Sequence, residues 1–158
     1  MTKTNPRQHL GREGELRAAR FLEGRGYRII ARNVRADRVE IDLIVRRDAT
    51  LVFVEVKSRR AAHLPEPSDH GSDLGEAHGL AAEAVDDRKQ RRLRRGAHAW
   101  LATNPAEARG TGRRRFDVVT CLYDERDPDP SRNGRQPQSK TTAPRTARWS
   151  MKHWEAAF

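Results

Sequence analysis

The stretch Val39–Lys57, VEIDLIVRRDATLVFVEVK, constrains the fold more than any other part of the chain. Two apolar, β-branched runs flank a short polar break, so it reads as a β-hairpin turning around Asp48 and Ala49. Side chains alternate faces along a strand. On that rule Val39, Ile41, Leu43 and Val45 share one face, and Glu40, Asp42 and Ile44 the other. In the second strand Val52, Val54 and Val56 oppose Phe53, Glu55 and Lys57. One face of the hairpin is then wholly apolar and must cover a core, while the opposite face collects the charges.

A turn centred between Asp48 and Ala49 places Asp42 opposite Glu55, and Glu40 opposite Lys57. Cβ atoms of directly opposed residues lie roughly 4.5–5.5 Å apart. Two carboxylates at that range repel, and a partly apolar setting screens them poorly. Either one binds a proton or a cation sits between them. Mg²⁺ or Mn²⁺, which take carboxylate oxygens together with waters, suit such a pair. The plainer alternative is a solvated strand face with a cross-strand Glu40–Lys57 ion pair. A one-residue slip in register would also send Glu55 to the other face.

A helix over Arg12–Glu23, stopped by the glycines at Gly24 and Gly26, adds a third acid. Glu15 has Ala18, Ala19 and Leu22 at plus three, four and seven, so it projects from the face that packs on the sheet. A charge there is costly unless paired. The alternative role for Glu15 is electrostatic, an acid in the first turn interacting with the helix dipole.

The remaining elements follow in order. Residues 1–10 read as a loose leader and Tyr27–Asn33 as a first strand. Ala61–Gly79 is a long Pro-, Gly- and Ser-rich loop. A second helix spans Asp86–Thr103, with Asp86 or Asp87 as cap and an inward stripe of Leu93, Ala97, Trp100 and Leu101. Arg115–Tyr123 is another strand, on which Cys121 faces away from Phe116 and Val118 as a small buried residue. Residues 124–146 read as a disordered linker, and residues 147–158 as a terminal segment docking on the core. The domain therefore covers residues 1–123, with a loop at 61–79. Helix, three strands, helix, then one or two strands suggest a mixed α/β domain.

Charge points to the partner. The formal net charge is +10, with 32 basic residues of which 5 are Lys. A strongly basic small protein most often meets a polyanion, nucleic acid first. The second helix carries Arg88, Lys89, Arg91, Arg92, Arg94 and Arg95; of these Arg88, Arg91, Arg92 and Arg95 spread over the outer face, and Lys89 is a candidate for a position nearer the acids. Such a row neutralises phosphates and makes binding salt-dependent. One Cys excludes an internal disulfide framework and a multi-cysteine zinc site. His63, His70 and His78 match no standard metal-ligand spacing. With no apolar run of membrane-spanning length and a polar N-terminus unlike a signal peptide, the expected setting is the cytoplasm, with no membrane partner.

Glu15, Asp42 and Glu55-Val56-Lys57 together resemble the core of the PD-(D/E)XK nucleases. The ordered set GREGELRAARFLEGRGYRIIARNVR, EIDLIV, LVFVEVKSR, AAEAVDDRKQRRLRRGAHAWL, RRFDVVT and EAAF is similar to the YraN-like bacterial family, related to archaeal Holliday-junction resolvases. The resemblance implies a restriction-endonuclease-like fold, a mixed central sheet flanked by helices. It implies that Asp42, Glu55 and Glu15 bind Mg²⁺ or Mn²⁺, with Lys57 as the catalytic lysine. It implies an endonuclease acting on DNA, branched DNA by kinship with the resolvases, and working as a homodimer. The alternative is a non-catalytic nucleic-acid-binding protein that keeps the fold. The Ala61–Gly79 and 124–146 segments depart from the family pattern, so substrate grip and dimer contacts do not carry over.

Overall fold

The computed structural model of the chain describes residues 6–61, 85–124 and 149–158. Helix α1 is Pro6–Glu23, and strands β1 (Arg28–Ala36), β2 (Val39–Arg47) and β3 (Thr50–Ala61) follow it. Helix α2 (Asp87–Thr103), the short α3 (Pro105–Arg109), β4 (Arg113–Asp124) and β5 (Trp149–Trp154) complete the order. The five strands form one sheet in sequence order, with β3 and β4 parallel and the other neighbours antiparallel. This is an α/β architecture, a mixed open sheet with flanking helices, as expected of a restriction-endonuclease-like fold.

The hairpin pairs in the expected register, Leu43 with Val54 through Arg47 with Thr50. Asp48 takes the left-handed conformation (φ 53°), which Asp tolerates better than most residues, and closes the turn. Alternation on β3 then divides the core. Val52 and Val54 pack with Ala18, Ala19 and Leu22 of α1, and Leu51 and Phe53 with Leu93, Ala97, Trp100 and Leu101 of α2. Both faces are therefore covered, and the face that collects Asp42 and Glu55 also buries Leu51 and Phe53. With helices on both sides, a strand interior reads as a continuous hydrophobic run.

One correction concerns alternation itself. Val39 and Ile41 belong to the α2-side cluster, but Leu43 and Val45 to the α1-side cluster. The neighbouring strand switches sides at the same rung. Both Ala31 and Val34 pack on the α2 side, and the pair Asn33–Asp42 is missing from a ladder whose register is otherwise unchanged from Arg32–Leu43 to Val34–Ile41. Asn33 is left-handed (φ 49°). The two strands kink together, and the kink falls on Asp42.

Helix α1 begins at Pro6, so the leader expected over residues 1–10 gives way to a helix from its sixth residue. Proline is well placed in a first turn, where its missing N–H has no intrahelical partner to lose. β1 runs past Asn33 to Ala36, and Asp37 and Arg38, both at positive φ (47° and 60°), turn into β2. Beyond Ala61 the long loop with its three histidines lies outside the described residues, as does the 124–146 linker beyond Asp124. β5 lies antiparallel against β4, and Phe158 stacks on Phe116 at 5.4 Å between ring centroids. Cys121 is fully buried on the α1 side, opposite Phe116 and Val118.

Each helix approaches the sheet closely through a glycine. A Cβ on Gly14 would overlap Ser58 Oγ and meet Ser58 Cβ at 3.0 Å. A Cβ on Gly96 would lie 2.9 Å from Val39 Cβ and 3.0 Å from its Cγ1. Val39 is β-branched and fully buried, so it cannot turn away. Gly96→Ala gains about 1 kcal/mol of helix propensity, but overpacking costs about 1–3 kcal/mol. The expected net result is a loss of up to about 2 kcal/mol, measured as a lower urea midpoint at unchanged slope; a raised midpoint would show that α2 has slack.

Candidate active site

Glu55 is 5% exposed on the β3 face that α2 covers. A buried carboxylate needs counter-charge, and two ammonium groups supply it. Lys57 Nζ and Lys89 Nζ each stand 3.1 Å from Glu55 Oε1. Lys57 lies two residues along the same strand face. Lys89 comes from the first turn of α2, which Asp86 caps by accepting the Lys89 backbone N–H at 2.7 Å. Lys89 thus joins the acids rather than the outer row of the helix. Glu55 Oε2 is buried with no hydrogen-bond partner.

Asp42 meets the same group from β2. The hairpin ladder ends at Leu43–Val54, and beyond it the Val56 N–H donates to Asp42 Oδ2 at 2.7 Å. A side chain replaces a strand carbonyl at the kink. Burial raises the Asp42 carboxyl first, and the charges of Glu55 and Glu15 raise it further; the Val56 hydrogen bond and Lys89 only partly oppose this, leaving it at about 7. Asp42 and Glu55 therefore lie within each other's field.

Glu15 approaches from α1. Its carboxyl is raised by burial and by Glu40 and Glu55, against a hydrogen bond to Asn33 and the charge of Arg12. Since α1 starts at Pro6, no acid lies in its first turn. Glu15 sits nearly three turns in, where the helix dipole no longer acts, and that alternative role fails. Arg12, Glu15, Leu16, Arg32, Asn33 and Leu43 line a small cleft of about 250 Å³ beside the acids.

The Glu40–Lys57 cross-strand pair does not form. Glu40 is exposed and lies 3.7 Å from Arg35 of β1, while Lys57 turns to Glu55. Among the described residues no group of three His, Cys, Asp or Glu side chains stands close enough to make a ready-built metal cage. The three carboxylates are neighbours, with ammonium groups on one of them. On α2, Arg88, Arg91, Arg92 and Arg95 are all exposed. Arg95 pairs with Asp37 at 2.6 Å, and Arg94 lies over the Phe158 ring at 5.7 Å. Among the described residues, Arg88, Arg91 and Arg92 make no ion pair.

Asn33 was missed by sequence reasoning. Its only signal was its residue type, an Asn closing the expected first strand and suited to left-handed backbone. Among described residues, no helix is long and apolar enough to cross a membrane.

Comparison with known proteins places this geometry in a family. The model of the uncharacterised protein family UPF0102 matches residues 14–121, which hold Glu15, Asp42, Glu55, Lys57 and Lys89. A UPF0102 protein of Halorhodospira halophila is 44% identical over 118 residues, covering 75% of this chain and 80% of its own. One of Symbiobacterium thermophilum is 46% identical over 112 residues, covering 71% and 80%. One of Nocardia farcinica is 42% identical over 122 residues, covering 77% and 83%. The chain belongs to the UPF0102 family, the YraN-like proteins.

Proposed function

We propose that the protein is a divalent-metal-dependent endonuclease that hydrolyses DNA phosphodiester bonds, with branched DNA as the substrate its kinship suggests. One observation carries this reading: Asp42, Glu55 and Glu15 share one field beside Lys57 and Lys89, and a buried Glu55 oxygen has no partner. A protein that only binds nucleic acid has no use for that arrangement.

The donor set fits Mg²⁺ or Mn²⁺. It consists of oxygens alone, and Glu55 Oε2 has free lone pairs in a buried place. Asp42 and Glu55 would hold the ion, with Glu15 completing the shell through a water. Once bound, such an ion supplies charge neutralisation at the phosphate and a more acidic water. Lys57, one residue past the Asp42-bound Val56 amide, orients the attacking water or stabilises developing charge. Val56 N–H fixes which Asp42 oxygen stays free. Exposed Arg88, Arg91 and Arg92 bind flanking phosphates. Action as a homodimer in the cytoplasm belongs to the same reading, since a four-way junction has two-fold symmetry.

The test is a cleavage assay on junction, flap, linear and RNA substrates with Mg²⁺ or Mn²⁺. Asp42→Ala and Lys57→Ala should each slow cleavage by roughly 10²–10⁴-fold while the circular dichroism spectrum is kept. Full activity in both variants would overturn the assignment. A native protein that binds DNA steeply with salt but cuts nothing would favour the non-catalytic alternative.

A further inference from the structure

Leu16, 48% exposed, is the exposed large hydrophobic side chain among the described residues. A single apolar side chain on a surface needs no explanation by itself. This one lines the cleft of about 250 Å³ that opens beside the acids. All six lining residues, and their neighbours in sequence, are among the described ones.

The lining divides by character. Leu43, 1% exposed on β2, makes the floor, and Leu16 an apolar wall. Arg12 and Leu16 are four residues apart on α1 and so share a face. Arg32 and Asn33 come from β1, the edge strand of the sheet. Arg12 and Arg32 are exposed and form the rim. Arg12 acts on Glu15 through its charge. The pair of Arg32 with Glu23 is long, 3.9 Å between exposed side chains, and is easily exchanged for a phosphate. Asn33 hydrogen-bonds Glu15 with its amide N–H, which leaves its carbonyl oxygen to accept from a ligand.

Those groups decide what can enter. A phosphate inside would face the Glu15 carboxylate, whereas two leucines and an amide suit a neutral flat ring. An apolar cavity of about 150 Å³ holds a benzene, so about 250 Å³ admits one nucleobase and not a base pair. The guanidinium groups at the rim then meet the phosphates on either side of that base. A base inside a duplex cannot reach such a cleft without leaving the stack. That cost is least where the base is already unpaired, as at a flap, a gap or a branch point.

We propose that this cleft receives one unpaired nucleobase from the strand whose phosphate meets the acids, with Leu16 holding the base out of the stack. The substrate is then nucleic acid with an unpaired nucleotide beside the bond to be cut. The proposal rests on the nucleic-acid reading above, and it gives the preference for branched DNA a basis in shape.

The experiment follows 2-aminopurine, a fluorescent adenine analogue quenched by stacking. It is placed at the unpaired position of a flap DNA, or at the matching position of a linear duplex. The full chain is titrated in chelator, so that cleavage plays no part, and the anisotropy of an end label gives affinity across a salt series. The native protein should raise the flap's emission severalfold and leave the duplex's unchanged. Leu16→Ala should lose most of that rise and bind the flap about fivefold more weakly. Its duplex affinity and salt slope should hold, because no charge is removed. Leu16→Met keeps the apolar bulk and should keep the rise. Arg32→Ala should take about 1 from the slope of log affinity against log salt on the flap. Both positions are exposed, so the thermal midpoints should stay close to the native one. An equal rise in the native chain and Leu16→Ala would place the unstacked base elsewhere and overturn the cleft. Binding with no rise on either DNA would also overturn it and leave the nucleic-acid reading standing. No DNA binding by the native chain would remove both.

Discussion

Asp117→Ala is expected to lose about 3–5 kcal/mol of folding stability, as much as the largest single truncations in the α2-side core. Asp117 is fully buried on β4. Arg115 donates to both its oxygens at 2.8 Å, His153 Nε2 lies 2.6 Å from Oδ2, and the Ala156 N–H donates to Oδ1 at 3.0 Å. Burial alone would raise this carboxyl, but the hydrogen bonds from His153, Arg115 and Ala156 outweigh it and hold it below its ordinary value. Its removal leaves Arg115, with a side chain 12% exposed, with only the half-exposed Glu155 as a carboxylate partner. The penalty of that under-compensated charge, together with the Ala156 N–H left without its acceptor, exceeds the worth of the contacts deleted.

The loss has an address. His153 and Ala156 belong to the C-terminal segment, so Asp117 is the buried point that ties β5 and its following turn to β4. Tyr27 and Glu155 extend the tie, with Arg115 donating to both at 2.7 and 2.9 Å. Hydrogen exchange should show Met151–Trp154 opening in Asp117→Ala well before β3 does. The sign in pH is set by the lowered carboxyl. Its stabilisation is present above the ordinary carboxylate range and is lost as pH falls through the folded value, so the native–variant gap closes in acid. A gap unchanged from neutral pH into acid would mean that shape, not charge, holds the segment.

None of this network was legible in the chain. Asp117, His153 and Glu155 are ordinary polar residues in sequence, and only the antiparallel pairing of β5 with β4 brings them together. The hairpin was legible because a two-residue polar turn between apolar runs admits few registers. Glu15 was legible because Ala18, Ala19 and Leu22 mark the packing face of α1. The start of α1 was not, since Arg7, Gln8 and His9 are solvated and show no apolar stripe. The β1–β2 turn was hidden because Asp37 and Arg38 take positive φ without a glycine to announce it. The kink at Asn33 and Asp42 was out of reach for a different reason. Strict alternation is a property of flat strands, and two strands that bend together keep register while exchanging faces. Lys89 came within reach of Glu55 through the β3–α2 crossover, which no local pattern specifies.

The acids make a stability claim that separates function from folding. Asp42 has a folded value of about 7 against an ordinary 3.8, so the folded chain holds a proton that the unfolded chain has released between those values. Stability must then fall as pH rises from about 4 to about 7, at up to about 1.4 kcal/mol per unit, and stay low above. Asp42→Asn keeps an oxygen for the Val56 N–H and carries no charge. It should therefore be more stable than the native chain at pH above 7, by about 2–4 kcal/mol, and no more stable near pH 4. The same variant should lose cleavage. Mn²⁺ discriminates between causes, since an ion that binds only the folded acids stabilises by mass action. Added at pH 8, it should raise the native midpoint towards that of Asp42→Asn and leave the variant's unchanged. Equal stability of the two proteins across the pH range would show that Asp42 is comfortable as an anion where it stands. A site that strains the fold until a cation arrives would then be the wrong description. If the gap appears and Mn²⁺ closes it, a residue that weakens the fold has been kept for what it binds.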